Sequence, residues 1–149
     1  MTNIINAIFS MSSEIAKRIV DSMYNKDPMS RWLGIERLYE GPGECILRMR
    51  VREEMLNGFG IAHGGICFSL ADSALAFASN AHGQQAVSIE TTISHLKPVM
   101  PDDLLTATTK EINLAGRIGI YEVRITNQNE VLVAYFKGTV YRNGKVWFE

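Results

Sequence analysis

Residues 63–80 of the sequence read HGGICFSLADSALAFASN. From Gly64 to Asn80, small and apolar residues run for more than four helical turns without a proline, and the apolar ones lie on almost every side. This pattern predicts a long helix that is buried nearly all round. Its many Ala and Ser residues indicate that neighbouring backbones approach it closely.

Downstream of this helix the sequence is typical of β-structure. Val, Ile, Thr and Tyr are enriched in four alternating segments, at residues 87–96, 104–114, 118–126 and 131–141. Turn residues punctuate them at Gly116, Asn127-Gln128-Asn129 and Asn143-Gly144. Because these connections are too short for crossovers, neighbouring strands are expected to be antiparallel.

Upstream, residues 1–30 are predicted to be helical, since Ile15, Ile19 and Met23 recur at a spacing of four. Asp27-Pro28 should stop this helix. A strand is expected from about residue 33 to 39, then a turn at 41–43 and a strand alternating over 45–51. The prediction is an α+β fold in which a curved antiparallel sheet of about six strands wraps one helix. Residues 1–30 would form a helical extension and residues 31–149 one domain.

The composition limits the partners and the setting. Fifteen basic and sixteen acidic residues give a net charge of −1, which argues against a nucleic acid or an anionic membrane as the main partner. No apolar run approaches the roughly 20 residues that span a bilayer, and nothing resembles a signal peptide. Two cysteines form no disulfide or metal framework. A reduced, cytoplasmic setting is the simplest interpretation.

Asp72 is the anomaly of the central helix. A carboxylate amid apolar residues is costly to bury unless it is paired, hydrogen-bonded or used chemically, and Asp is a poor helix former away from the N-cap. Two interpretations stay open for Asp72. It accepts hydrogen bonds from neighbouring side chains, or it is a catalytic group.

The helix start offers a complementary feature. At Gly64 and Gly65 the first N–H groups and the positive end of the helix dipole face outward, which suits an oxyanion. Glycine also lets a carbonyl approach the backbone closely, although two glycines are equally typical of a simple turn. His63 could cap the helix or orient the loop. Asn57 could add a donor or serve turn geometry.

The spacing of these groups leads to a geometric prediction. Asp72 lies eight residues beyond Gly64, or about 12 Å along the axis. One helix therefore cannot present its own first amides and its own Asp72 to the same carbonyl. Two helices related by a two-fold axis could, with each Asp72 facing the partner's glycines. The site is predicted to be composite, and a monomer inactive.

Cys67 is a competing nucleophile, because it lies four residues after His63 and a thiolate near a helix N-terminus is activated. Its neighbours Ile66 and Phe68 instead favour core packing. His82 and His95 have no metal-ligand spacing, so no metal site is expected.

Several motifs together resemble the hotdog-fold acyl-CoA thioesterases, in particular the phenylacetate-degradation thioesterase group. They are Leu56-Asn57-Gly58, His63-Gly64-Gly65, Ser69-Leu70-Ala71-Asp72, Val87-Ser88 and Leu96-Lys97-Pro98. The similarity extends from about residue 32 to 141.

The resemblance implies hydrolysis of a small aromatic or short-to-medium acyl-CoA, without metal or cofactor, in dimers that usually pair into homotetramers. It assigns Asp72 as nucleophile or general base and Gly64 as the donor that polarises the carbonyl. Asn57 and His63 would support the site, Ser88 would place water, and Gly65 would contact substrate.

Two basic residues are candidates for the coenzyme A phosphates, namely Lys97 and Arg117. Each is equally an ordinary solvated charge. The alternative function is a non-catalytic acyl-CoA binding or sensing module on the same fold. A hydratase would need a His/Asp pair that the sequence does not offer.

Overall fold

The computed structural model describes residues 1–148 of the chain. It contains three α-helices, α1 (Thr2–Tyr24), α2 (Pro28–Leu33) and α3 (Gly64–Asn80), and a 3₁₀ turn at Glu53–Met55. Its strands are β1 (Glu36–Gly41), β2 (Glu44–Arg50), β3 (Gln84–His95), β4 (Leu104–Ala115), β5 (Ile118–Thr126) and β6 (Leu132–Val146). None of the helices in this part of the chain has the length and hydrophobicity needed to cross a membrane.

The six strands form one antiparallel sheet in the order β1-β2-β4-β5-β6-β3. Helix α3 contacts every strand, and ten of its 17 residues are buried. Its apolar side chains fill the space enclosed by the sheet, because a helix that is hydrophobic nearly all round must be covered on several sides. The predicted helix bounds and the wrapped α+β architecture are confirmed.

The segment between α1 and the sheet differs in part from the prediction. The first helix does stop before Asp27-Pro28, but Asp27 then caps a second helix, since its carboxylate accepts the Ser30 N–H at 3.0 Å. The expected strand start at Leu33 is wrong, because Leu33 ends α2 and Gly34, at φ +71°, terminates it.

The predicted division of the chain at residue 30 falls inside α2. The predicted domain of residues 31–149 ends at Glu149, which lies outside the described residues. The division into an extension and a domain stays a prediction.

The predicted turn at Asn143-Gly144 is also wrong, because β6 runs through it. Residues 143–145 lie opposite the single residue Gln85 of β3, so they form a bulge. Gly144 has φ +85°, and the Asn143 side chain accepts the Lys145 N–H at 2.9 Å. Asn-Gly favours a left-handed backbone, which a bulge within a strand uses as readily as a hairpin turn.

Strand β3 lies at an edge of the sheet and contains a second bulge. Ser88 pairs with Val140 and Glu90 with Thr139, which leaves Ile89 as one extra residue on β3. Val87 and Ile89 are 56% and 58% exposed. The described chain therefore presents a twelve-residue edge strand with two large apolar side chains on its surface.

Candidate active site

His63 caps the N-terminus of α3. Its Nδ1 accepts the Gly65 N–H at 2.9 Å, and its carbonyl accepts the Ile66 N–H at 2.9 Å. His63 is thus the N-cap of the helix. The Gly65 N–H is already used in this cap, whereas the Gly64 N–H has no acceptor among residues 1–148. Of the two predicted glycine donors, Gly64 is the one available to a substrate.

A cleft of about 350 Å³, here called the Gly64 cleft, opens beside this N–H. Asn57 lies in it, and its side-chain oxygen accepts the Phe59 N–H at 2.9 Å. Asn57 therefore stabilises the turn through its side-chain oxygen. Its carboxamide NH₂ has no acceptor among residues 1–148 and can donate into the cleft. The lining residues are Asn57, Ile61, Ala62, Gly64, Cys67, His95, Leu96, Lys97, Pro98 and Val99.

His95 belongs to this cleft, although the sequence analysis assigned it no role. A β-carbon built on Gly64 would lie 3.1 Å from His95 Nε2. Neither ring nitrogen of His95 has a hydrogen-bond partner in the part of the chain that the structure describes. Residue spacing could not reveal this contact, because it depends on which face of β3 carries His95.

Asp72, in the middle of α3, lines a second cleft of about 420 Å³, here called the Asp72 cleft. Ser88 lines it too, so the structure brings these two predicted site residues together. No described side chain donates a hydrogen bond to Asp72 within one chain. The lining residues are Met23, Asp72, Leu75, Ala76, Ser79, Asn80, Gln85, Ala86, Val87, Ser88, Val140, Asn143 and Trp147.

The electrostatic surroundings of Asp72 disfavour its charge. Burial raises the pKa of the Asp72 carboxyl above its ordinary value of 3.8, and the negative charge of Asp27 raises it further. The Asp27 carboxylate accepts the Ser30 hydroxyl at 2.5 Å, and that hydroxyl lies 2.8 Å from the hydroxyl of Ser73. Asp72 is thus a half-buried carboxylate with a raised pKa that faces an open cleft, a combination typical of acid–base residues.

The two clefts share no lining residue. Gly64 and Asp72 therefore face different clefts of one chain, in agreement with their separation along the helix. That two copies of the chain bring the two clefts together stays a prediction.

The alternative nucleophile, Cys67, has unfavourable surroundings. Its side chain is buried, and burial raises the pKa of the thiol to about 11. The thiolate, which is the reactive form, is therefore scarce at neutral pH. The structure supports the core-packing interpretation of Cys67.

The two candidate phosphate ligands lie in different places. Lys97 lines the Gly64 cleft. Arg117, at the β4–β5 turn, donates to the Tyr141 hydroxyl at 2.8 Å and stacks over that ring at 5.9 Å. Arg117 lines neither cleft. Of the two, Lys97 alone is close to a proposed site residue within one chain.

The remaining histidine, His82, bonds through Nε2 to the Glu111 carboxylate, which also accepts the Tyr121 hydroxyl at 2.6 Å. Within residues 1–148, no group of three or more His, Cys, Asp or Glu side chains could hold a metal ion.

Comparison with known proteins agrees with this geometry. Residues 59–134 match the family model of the thioesterase superfamily. The acyl-coenzyme A thioesterase PaaI of Escherichia coli is 39% identical over 123 residues, which cover 83% of this chain and 88% of that protein. The solved structure of E. coli PaaI has a TM-score of 0.87 at 37% identity and covers 90% of this chain and 97% of that one.

A Streptococcus mutans protein solved with bound acetyl-CoA is more distant. It has a TM-score of 0.73 at 28% identity, and the match covers 75% of this chain and 90% of that one. The family match includes the start of α3 and Asp72, and the structural likeness extends to the wrapped helix. The chain therefore belongs to the thioesterase superfamily, a family of hydrolases with the hotdog fold.

Proposed function

We propose that the protein hydrolyses small acyl-CoA thioesters in a site shared by two copies of the chain. One observation carries the proposal. The unpaired Gly64 N–H and the Asp72 carboxylate open into separate clefts on the same helix. Each cleft holds half of the groups that thioester hydrolysis requires, and a second copy supplies the other half.

In this site the Gly64 N–H of one chain donates to the thioester carbonyl oxygen, and the Asn57 amide assists it. Such a donor stabilises the oxyanion that forms when the carbonyl is attacked, typically by about 10²–10³ in rate. The Asp72 carboxylate of the other chain either removes a proton from the attacking water or attacks the carbon itself. In the water route a new C–O bond to water replaces the C–S bond, and the acid and the thiol are released. In the direct route the C–S bond breaks to release the thiol and leaves an acyl–Asp72 anhydride, which water then hydrolyses to the acid and free Asp72.

Ser88 supports the water route, since it lines the same cleft as Asp72 and its hydroxyl can hold a water beside the carboxylate. The two routes differ in the origin of the oxygen atoms in the product. In H₂¹⁸O, a single turnover at excess enzyme puts ¹⁸O in the acid by the water route. By the direct route, water that attacks the Asp72 carbonyl of the anhydride puts ¹⁸O in the enzyme and leaves ¹⁶O from Asp72 in the acid, so ¹⁸O in Asp72 identifies the direct route.

The proposed dimer joins two β3 edges. An exposed edge strand is a ready template for pairing with another chain, and Val87 and Ile89 would be covered by that pairing. Two such dimers would form the expected homotetramer. We place the enzyme in the cytoplasm, since both of its cysteines are free thiols buried in the fold.

The acyl-CoA substrate is supported by Lys97, whose ammonium can meet a phosphate of coenzyme A at the Gly64 cleft. It is also supported by the acetyl-CoA bound to the Streptococcus relative. The unpaired Asp72 carboxylate in the cleft favours hydrolysis over a non-catalytic binding module.

The test uses two variants that each destroy a different half of the site. Gly64→Pro removes the N–H at the first helical position, where proline is tolerated, and His63 at ψ 138° already has the backbone that precedes a proline. Asp72→Asn removes the charge. Each variant alone should lose acyl-CoA hydrolysis, measured by thiol release with a chromogenic disulfide.

Co-expression of the two variants should restore activity, because a mixed dimer keeps one site in which an intact Gly64 faces an intact Asp72. With random pairing, about a quarter of the wild-type activity is expected. If the mixed dimers, purified through two different tags, are inactive while wild type is active, the shared site is wrong. If wild type releases no thiol from any acyl-CoA, the proposed activity is wrong.

A further inference from the structure

The Asp72 cleft follows one face of α3. Asp72, Ala76 and Ser79 all line it, and their spacing of four and three residues places them on the same side of the helix. The cleft therefore runs from Asp72 towards the C-terminal end of α3. Ala76, one turn beyond the carboxylate, has a side chain small enough to leave the passage open.

Trp147 stands at the far end of this passage. Its indole N–H donates to the Asn80 side-chain oxygen at 2.9 Å, and its backbone N–H donates to the Gly83 carbonyl at 3.1 Å. Asn80 is only 2% exposed, and it also exchanges two hydrogen bonds with the backbone of Ala86 at 2.9 and 3.0 Å. The ring of Trp147 is thus anchored to a rigid, buried amide.

Met23 completes the end of the cleft from the last turn of α1. The next residue, Tyr24, holds that turn in place, because its ring meets Phe77 edge-on at 6.5 Å and its hydroxyl donates to the Ile35 carbonyl at 3.3 Å. Methionine is unbranched and adapts to irregular gaps. The Met23 side chain can therefore change its conformation at the end of the cleft, whereas Trp147 beside it is held by hydrogen bonds.

Helix α1 also approaches the residues after β6 outside the Asp72 cleft. Ile19, one turn before Met23 on α1, is fully buried, and together with Trp147 it lines a separate cleft of about 230 Å³. The guanidinium of Arg18 lies 4.8 Å above the ring of Phe148. Helix α1 and the residues after β6 thus hold each other in position across the end of the cleft.

The charges favour one half of the substrate for this cleft. Among the described residues that line it, Asp72 is the only ionisable one, and a carboxylate repels the phosphates of coenzyme A. The Gly64 cleft contains the cation Lys97 instead. A thioester whose carbonyl lies between Asp72 and a partner's Gly64 would therefore direct its acyl group into the Asp72 cleft.

We propose that the Asp72 cleft is the acyl-binding site and that Met23 and Trp147 set the longest acyl group it accepts. This inference rests on the proposed thioesterase function. The run from Asp72 to Asn80 is about 12 Å of helix, so the cleft takes an extended acyl chain or a ring system of moderate length. A longer group meets Met23 and the fixed indole of Trp147.

The experiment measures kcat/KM for a series of straight-chain acyl-CoAs from acetyl to lauroyl. Met23→Ala and Trp147→Ala should move the optimum to longer chains, by about tenfold in relative kcat/KM for every two methylenes that become accommodated. Ala76→Leu, which narrows the cleft next to Asp72, should move the optimum to shorter chains. Trp147→Phe keeps most of the bulk without the hydrogen bond and should keep the wild-type optimum.

Matched controls make the same substitutions outside both clefts. Met29→Ala and Trp32→Ala alter residues that are 45% and 46% exposed, and they should leave the chain-length profile unchanged. Thermal unfolding of every variant identifies those that fail to fold. If Met23→Ala or Trp147→Ala fails to fold, calorimetric binding of the acyl-CoA series to Asp72→Asn, with and without Ala76→Leu, provides the length dependence; if Ala76→Leu fails, the two cleft-enlarging variants provide it.

The outcomes separate the two proposals. If wild type hydrolyses acyl-CoAs but the profile is the same in Met23→Ala, Trp147→Ala and Ala76→Leu, the acyl site is wrong and the proposed function stands. If wild type neither hydrolyses nor binds any acyl-CoA, the proposed function is wrong and the acyl site falls with it.

Discussion

The imidazole of His95 lies against Gly64, so close that a β-carbon on residue 64 would stand 3.1 Å from Nε2. Residue 64 is therefore constrained in two ways. The contact with His95 leaves little room for a side chain, and the proposed chemistry needs the backbone N–H of residue 64 as a hydrogen-bond donor. Two substitutions at residue 64 can measure the two constraints separately.

Gly64→Ala should lower kcat/KM by about tenfold, because it keeps the N–H but forces His95 to move. Gly64→Pro adds the same β-carbon and also removes the donor, so its kcat should fall by a further 10²–10³ or so. Steady-state kinetics of both variants, with their thermal unfolding, give the comparison. Equal losses in the two variants would mean that the Gly64 N–H does not act on the substrate.

Gly58→Ala is the matched control for residue 64. A β-carbon at Gly58 would meet nothing within 4 Å, and its backbone does not require glycine. Both kinetics and stability should stay near wild type.

Asp72→Asn should lower kcat by about 10²–10⁴, the usual contribution of a general base.

Asp72→Asn should also stabilise the fold at neutral pH. The pKa of Asp72 is raised in the folded state, so between 3.8 and that raised value the folded chain binds more protons than the unfolded chain. The free energy of unfolding of wild type therefore falls as pH rises through this window.

Chemical denaturation across pH checks the stability effect. The advantage of Asp72→Asn over wild type should be present at pH 7 and disappear below pH 3.8. A variant that is less stable than wild type at pH 7 would contradict a raised pKa at Asp72.

Asp27→Asn should move the acid limb of the pH–rate profile to lower pH. Asn can still cap α2, and it removes the negative charge that helps to raise the pKa of Asp72. The log of kcat against pH is the measurement, with Glu14→Gln, an exposed carboxylate on α1, as the control. An unchanged acid limb would show that Asp27 does not influence the titration of Asp72 in the active enzyme.

Cys67→Ala should keep kcat within a few-fold of wild type, because the thiol is buried and its pKa is raised to about 11. The cost should be in stability, at about 1 kcal/mol. Iodoacetamide at pH 7 should leave wild-type activity intact. If alkylation of Cys67 inactivated the enzyme rapidly and at the same rate, Cys67 would be a candidate nucleophile after all.

Lys97→Ala should raise KM for acyl-CoA by up to about fivefold, the effect of one exposed ion pair, with kcat little changed. Arg117→Ala should leave KM unchanged, since that guanidinium is bound to Tyr141. The same acyl group on N-acetylcysteamine lacks the phosphates, so its KM should be insensitive to Lys97. An equal effect on both substrates would assign Lys97 to another part of the site.

The central helix could be predicted from the sequence to its terminal residues, because it has 17 residues without a proline. All of them except Asp72 and Asn80 are small or apolar, which leaves one buried helix as the simple solution. The separation of Gly64 from Asp72 followed from the rise per residue alone. Leu33 and Asn143-Gly144 were assigned wrongly for a common reason. In each case a short local preference fitted two structures. At Leu33 the Asp27 N-cap and Gly34 define a short helix, and at Asn143-Gly144 the pairing of β6 with β3 makes a bulge and not a turn.

The role of His95 could not be predicted, because regular alternation along β3 places it on the wrong face. Ser88 and His95 are seven residues apart, an odd number, and an unbroken strand would point them to opposite sides of the sheet. In the structure Ser88 pairs with Val140 and His95 with Ala134, and both partners are buried. The extra residue Ile89 reverses the alternation between them.

This bulge makes one strand serve both halves of the site. Before Ile89 the even-numbered side chains of β3 face α3, and Ser88 reaches the Asp72 cleft. After it the odd-numbered side chains do so, and His95 reaches the Gly64 cleft. The extra residue Ile89 changes which alternate side chains of β3 face α3. If Ile89 were deleted, the β3 side chains at one cleft would point away from α3, while those at the other cleft would still face it.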